Sequence, residues 1–248
     1  MIISVSNNKG GAGKSTTVNA LANGLKNEGY NVLVIDLDSQ RNQTDNMNVS
    51  VGVPTIAEVL QQEIDIHDAI TKTEQTDIIA ADHDLTLIDF SDVFSLKSYL
   101  DLIKDEYDFI LLDTTPTIDS LMFNSFVAAD KVLIPINPSY RSVDPLINFI
   151  GIIDQIKDEY NPELEVAGIL ITQYDDRPQV NRRVKVEINE IGELNNINVY
   201  KTYIRKGVAV EEAYLYKQDI FSVNPRSNVA MDYKAFVGEF LRKIKKEG

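Results

Sequence analysis

The chain has 248 residues, 24 basic and 38 acidic, for a formal net charge of −14, with 44% apolar and 25% charged positions. That balance is globular rather than disordered or fibrous, the length suits one domain with a sizeable core, and so acidic a chain binds polyanions only where its bases are segregated. With no cysteine, disulfides, iron–sulfur clusters, thiolate zinc sites and cysteine nucleophiles are all excluded.

In chain order, the apolar, β-branched run Ile2–Ser6 predicts a first strand. It has no basic flank or small-residue cleavage site, and no stretch reaches the roughly 18 apolar residues of a membrane span, so a cytoplasmic chain is expected. Further strands are predicted at Asn31–Asp36, Asp77–Ala81, Phe109–Asp113, Lys131–Ile136, Val166–Thr172 and Val199–Ile204. Several are continuously apolar, as strands buried on both faces are. Helical periodicity falls between them, at Lys14–Gly29, Thr55–Gln62, Phe94–Glu106, Ser120–Ala129, Val143–Tyr160, Gln179–Leu194, Val208–Tyr216 and Val229–Lys246. Met47–Thr76, rich in Asn, Gln and Asp, reads as loop with one or two short helices. This alternation predicts a doubly wound α/β fold, a mostly parallel sheet flanked by helices with right-handed crossovers. No repeat or linker divides residues 1–248, and with the first strand at the start of the chain no N-terminal helix-turn-helix domain is expected. His67 and His83 lie in acidic surroundings without ligand spacing and are expected at the surface.

The strongest local signal is Lys9-Gly10-Gly11-Ala12-Gly13-Lys14-Ser15-Thr16, between the first strand and the first long helix. Glycines let a loop curl until several backbone N–H groups share one concavity, and a helix N-terminus adds its positive dipole end, so the stretch fits a phosphate chain. Lys14 is placed to reach the β- and γ-phosphates and the Ser15 hydroxyl to coordinate Mg²⁺. A carboxylate at the C-terminal end of a parallel strand lies at the ligand edge of an open sheet, where Asp113 is expected to hold the metal through a water.

The ordinary P-loop pattern requires glycine at position 8, which here is Asn8, and the loop carries an extra lysine at position 9. This spelling resembles the deviant Walker A of the ParA/MinD family of P-loop ATPases. The resemblance extends through Asp36-Leu37-Asp38-Ser39-Gln40, with serine where the family has proline, through Tyr107–Pro116 as Walker B, and through Ala128–Pro135. Thr172–Arg177 and Lys201–Arg205 are similar to segments of ParA proteins more than of MinD.

The resemblance implies an ATPase that uses ATP and Mg²⁺. Asp38 matches the residue that orients the attacking water and joins the metal shell, and Asp36 orders the same shell. Lys9 would cross a dimer interface to touch the partner's ATP, making an ATP-dependent homodimer. The adenine pocket would draw on Tyr174 and on Asn224-Pro225-Arg226.

Residues 1–150 hold 9 basic and 22 acidic side chains, whereas from Gln173 onward the count is 14 against 11. A nucleic-acid surface is therefore expected in the last third, from Arg177, Arg182, Arg183 and Lys185, then Lys201, Arg205 and Lys206, then Arg226, then Arg242, Lys243, Lys245 and Lys246. The same residues would also suit solvated helix faces, and Arg183 with Glu187 stands at pairing distance on one helix. In the last helix Phe236, Val237, Phe240, Leu241 and Ile244 recur at helical spacing, which suits packing on the sheet or, in a MinD-like protein, membrane docking; packing is expected.

The resulting expectation is a ParA-type partition ATPase that coats nucleoid DNA nonspecifically as an ATP dimer and is stimulated to hydrolyse by a ParB-like, centromere-bound adaptor. A MinD-like membrane ATPase and a ParA-like ATPase with a protein cargo are the alternatives. The lack of cysteine argues against the iron–sulfur and arsenite-pump branches of the superfamily.

Overall fold

The computed structural model describes residues 1–88, 92–139 and 142–247. The elements, in order, are β1 (Ile2–Val5), α1 (Lys14–Asn27), β2 (Val32–Leu37), α2 (Asn42–Asn46), α3 (Ile56–Leu60), β3 (Ile70–Thr71), β4 (Asp77–Ile79), α4 (Ser95–Ile103), β5 (Phe109–Thr114), α5 (Ser120–Ala128), β6 (Lys131–Ile136), α6 (Val143–Glu159), β7 (Glu165–Ile171), α7 (Gln179–Leu194), α8 (Ala209–Tyr216), α9 (Ile220–Val223) and α10 (Asn228–Glu247). The strands form one seven-stranded sheet in the order β3-β4-β2-β5-β1-β6-β7. All neighbours are parallel except the short edge strand β3, which pairs antiparallel with β4.

Strand alternation divides the core in two. Leu33, Ile35 and Leu37 of β2 and Ile110 and Leu112 of β5 face α3, α4 and α5, whereas Val32, Val34, Phe109 and Leu111 face α1 and α10. By the same period of two, Asp36 and Asp113 turn toward the α1 side, and the β2–β5 register sets them opposite each other. In α10 the residues Tyr233, Phe236, Val237, Phe240 and Leu241 are buried against α1 and the sheet, the packing expected of them.

The expected helices form, α7 with the expected bounds, α10 one residue longer at each end and the others trimmed by one to three residues at one or both ends, and α2 and α9 are additional short turns. The expected strand Val199–Ile204 is not a regular strand. The segment runs beside β7, with Ile169 N donating to Asn198 O (2.8 Å), Tyr200 N to Ile169 O (2.9 Å) and Ile204 N to Ile171 O (2.8 Å). Between those contacts the amides of Lys201 and Thr202 donate instead to the Glu239 carboxylate of α10, at 2.8 and 2.9 Å, and this breaks the ladder. Gly168 permits the close approach: its φ is +146°, and a Cβ there would lie 2.8 Å from Asn198 O. β3 was hidden because two residues are too few to show a period.

Candidate functional site

The site lies at the C-terminal edge of the sheet, where β1, β2 and β5 end. After β1 the chain turns through Gly11 and Gly13, with φ of +71° and +83°, and enters α1 at Lys14. Only glycine takes both angles without strain. No heavy atom lies within 4 Å of where a Cβ would stand on Gly10 or Gly11, so the loop faces open space. This is a concavity of backbone at a helix N-terminus, the arrangement that receives anions.

Beneath it the carboxylates are arranged unequally. Asp36 is fully buried and accepts Thr44 N (2.8 Å), Thr44 Oγ1 (2.7 Å) and Asp38 N (3.1 Å). Burial outweighs these bonds and pushes its pKa up to about 6. Asp113 is also fully buried, yet neither of its oxygens has a hydrogen-bond partner. Burial and the neighbouring Asp36 charge raise its pKa well above the carboxylate range, against the smaller pull of the Ser15 hydroxyl and the Lys14 ammonium. Lys14 is itself buried, and desolvation lowers its pKa although Asp113 and Asp38 work to raise it.

An orphaned carboxylate beside a serine hydroxyl, with excess negative charge around it, fits a divalent cation. Among the described residues no group of three or more His, Cys, Asp or Glu is set to hold a metal by itself. A cation at Asp113 and Ser15 would therefore complete its shell with phosphate oxygens and water, as magnesium does in phosphoryl-transfer sites. Asp38, nine-tenths buried, accepts Gln40 N through Oδ1 (3.0 Å). Asn8, at the position where the ordinary pattern has glycine, keeps a buried Oδ1 without a partner.

Lys9 is held within its own chain. Its Nζ donates to Ser139 Oγ and to Ser142 Oγ (3.0 Å), on the connection from β6 to α6, and no carboxylate pairs with it among the described residues. Burial lowers its pKa. Thr16 Oγ1 lies 3.4 Å from Tyr214 Oη of α8, whose pKa burial pushes up to about 12.

The loop after β7 also reaches the site, through Thr172 and Gln173. Thr172 Oγ1 donates to Ala12 O and Gln173 Nε2 to Gly11 O, both at 2.7 Å. The Tyr174 ring packs edge-on against Tyr203, with centroids 4.7 Å apart. It shares a cavity of about 400 Å³ with Arg205, Lys206 and Asn228. Pro225 is exposed, and Asn224 Nδ2 donates to Glu212 Oε2 (3.2 Å). Ser139, Ser142, Thr172 and Gln173 carried no assigned role in the sequence reading. The one cue was a polar pair directly after an apolar strand.

The basic residues do not form one surface. Arg205 makes a two-pronged pair with Asp232 (2.8 and 2.7 Å), Arg183 pairs with Glu187 (3.0 Å), and Arg177 with Asp175, which is held down to about 2. Lys185 Nζ sits over the Tyr203 and Tyr174 rings, 4.0 and 5.0 Å from their centroids. Arg182, although it donates to Asp176 O (2.6 Å), is exposed, as are Lys201, Lys206 and Arg226. Arg242, Lys245 and Lys246 are exposed at the far end of α10, where Lys243 Nζ donates to Ala167 O (2.9 Å) near the start of β7. Five residues of strand, about 16 Å, separate that point from the Thr172 end. His67, at the surface as expected, bridges Asp65 (2.6 Å) and Glu106 (2.9 Å), and His83 is exposed.

The AAA domain family matches residues 1–166. The sporulation initiation inhibitor protein Soj of Bacillus subtilis is 30% identical over 94% of this chain and 94% of that protein. The chromosome partitioning protein ParA of Caulobacter vibrioides is 30% identical, over 86% of this chain and 83% of its own. Cobyrinic acid a,c-diamide synthase from Mycobacterium smegmatis, with bound ADP and magnesium, shares the fold at a TM-score of 0.85 and 24% identity, covering all of this chain and 96% of that one. With the phosphate-binding loop, the buried Walker B aspartate and these relatives together, the chain belongs to the ParA/MinD family of P-loop ATPases.

Proposed function

We propose that this chain is a magnesium-dependent ATPase of the partition type, acting as a single domain over residues 1–248, whose ATP-bound homodimer binds DNA without reading its sequence. The observation that carries the ATPase reading is Asp113: a fully buried carboxylate with no partner, next to Lys14 and Ser15 at the foot of an open glycine loop. Magnesium held by Ser15 and Asp113 would supply charge neutralisation on the phosphates. The loop N–H groups and Lys14 bind and orient the triphosphate. Asp38 orients the attacking water, and Asp36, fixed by Thr44, keeps the Asp38 turn in place. Lys9 of each protomer is assigned to the partner's phosphates, which requires it to leave Ser139 and Ser142.

The partition reading is supported by the relatives named for chromosome partitioning and by exposed cations at the nucleotide edge of the sheet, Arg182, Lys206 and Arg226. Arg205, Arg183 and Lys185 are occupied within the chain and are secondary candidates for phosphate contact. Arg242, Lys243, Lys245 and Lys246 lie toward the opposite end of the sheet within one protomer and are further candidates for phosphate contact. A ParB-like adaptor would stimulate hydrolysis and release, with the protein in the cytoplasm on the nucleoid. The burial of the apolar face of α10 favours this reading over a membrane-docking one.

The test is anisotropy of a nonspecific duplex titrated with the Asp38→Ala protein in ATP and in ADP. Binding with ATP alone, weakening steeply with salt, is expected. An ATP dimer that leaves the duplex free would overturn the DNA reading while leaving the ATPase assignment intact.

A further inference from the structure

Two adjacent residues at the end of β7 take hold of two adjacent carbonyls of the phosphate loop. Thr172 Oγ1 donates to Ala12 O and Gln173 Nε2 to Gly11 O, at 2.7 Å each. A peptide unit is planar and trans, so its C=O and the following N–H point in opposite directions. Anchoring Gly11 C=O toward β7 turns the Ala12 N–H away from β7, and anchoring Ala12 C=O does the same for the Gly13 N–H. Glycines at +71° and +83° leave this loop unusually free to rotate its peptide planes, so the direction of its N–H groups must come from outside the loop.

Gln173 is in a costly conformation to do this. Its φ is +51°, a left-handed angle that costs a side-chain-bearing residue about 1 kcal/mol. Thr172 is buried, and its side chain lies in ordinary contact, 3.5 Å, with the position a Cβ would take on Gly13. Strand β7 is fixed in turn to β6 along its length. We infer that Thr172 and Gln173 are positioning residues that preset the phosphate-binding N–H groups of Ala12 and Gly13 before any ligand arrives. The inference rests on the ATP-site reading and assigns to the loop after β7 a role at the phosphates.

The experiment compares the affinities of Mg·ATP and of magnesium tripolyphosphate, which has no base, by calorimetry on the full chain. Gln173→Leu removes the donor and should weaken both ligands by the same factor, about fivefold for one neutral hydrogen bond. Gln173→Gly loses the amide but accepts the left-handed angle without strain, so its equal loss separates the effect from folding. Thr172→Val should behave like Gln173→Leu, and Thr172→Ser, which keeps the hydroxyl, should restore binding.

Wild-type affinity for both ligands in Gln173→Leu and Gln173→Gly would overturn the inference. So would a loss confined to ATP, since Gln173 would then be reading the base. A wild-type chain that binds neither ligand would remove the ATP-site reading itself, whereas wild-type binding with unaffected variants removes only the positioning role.

Discussion

Lys185 lies in the middle of the most basic stretch of the chain, yet its ammonium is turned inward, 4.0 Å from the Tyr203 centroid and 5.0 Å from that of Tyr174. Both distances fall within the roughly 6 Å over which a cation is attracted to a ring face, an attraction of about 1 kcal/mol when partly desolvated. Burial also lowers its pKa, as expected of an amine withdrawn from water. Lys185→Met keeps the stem and deletes the charge. It should lower the melting temperature by about 3 °C, the shift that 1 kcal/mol produces in a domain of this size.

It should not change how DNA binding responds to salt. Each phosphate contact contributes about 0.9 to the slope of log affinity against log salt concentration, so Arg182→Ala, which removes an exposed guanidinium from each protomer of the dimer, should reduce the slope by about 1.8. The assay is a salt titration of duplex anisotropy in the Asp38→Ala background with ATP, run beside thermal melts of the same proteins. A slope that falls in Lys185→Met as far as in Arg182→Ala, with no change in melting, would refute the assignment of Lys185 to the aromatic pair.

The ligand-free chain should be more heat-stable at pH 5 than at pH 7.5. Asp36 titrates near 6 when folded against an ordinary 3.8, so its ionised form penalises the fold by about 3 kcal/mol above pH 6, and this penalty disappears as pH falls from 6 toward 4. A melting temperature that drops over that interval, measured without magnesium or nucleotide, contradicts this. Asp113→Asn removes the partnerless carboxylate and should weaken the Mg²⁺ dependence of nucleotide affinity in calorimetry; an unchanged Mg²⁺ response would mean the metal is held elsewhere. Glu239→Gln turns one of the two oxygens that accept the Lys201 and Thr202 amides into an NH₂ group, a donor set against a donor, costing about 2 kcal/mol and exposing that amide to hydrogen exchange; unchanged protection at both amides would show that the carboxylate does not hold them.

What the sequence made legible follows from the range of the forces involved. The phosphate loop, the alternation of strands and helices and the two strand-end aspartates are local patterns, and Asp36 and Asp113 face the same side because a period of two allows nothing else. Val199–Ile204 has the composition of a strand and lies beside β7, but Glu239, nearly forty residues away, competes for its amides. The basic residues were countable, yet the partner of Arg205 is 27 positions distant, and whether a cation is free or paired is a tertiary fact. The reach of Thr172 and Gln173 to Ala12 and Gly11 spans some 160 positions, and no spacing rule connects them. The edge-on contact of Tyr174 with Tyr203 joins rings on two separate segments, and no spacing rule connects them either.

The perch of Lys9 has a thermodynamic consequence. Many restrained lysines rest on a carboxylate, and freeing one of those breaks an ion pair. Here the ammonium leaves two neutral hydroxyls, which retain each other as partners at 2.9 Å once it has gone, and Ser142 keeps its bond to Asn137 O (2.7 Å). Departure therefore strands no charge behind it, and arrival at a phosphate would create an ion pair where none existed. Release costs two hydrogen bonds to hydroxyls but breaks no ion pair, so a phosphate that paired with this half-buried lysine would have only those two bonds to replace.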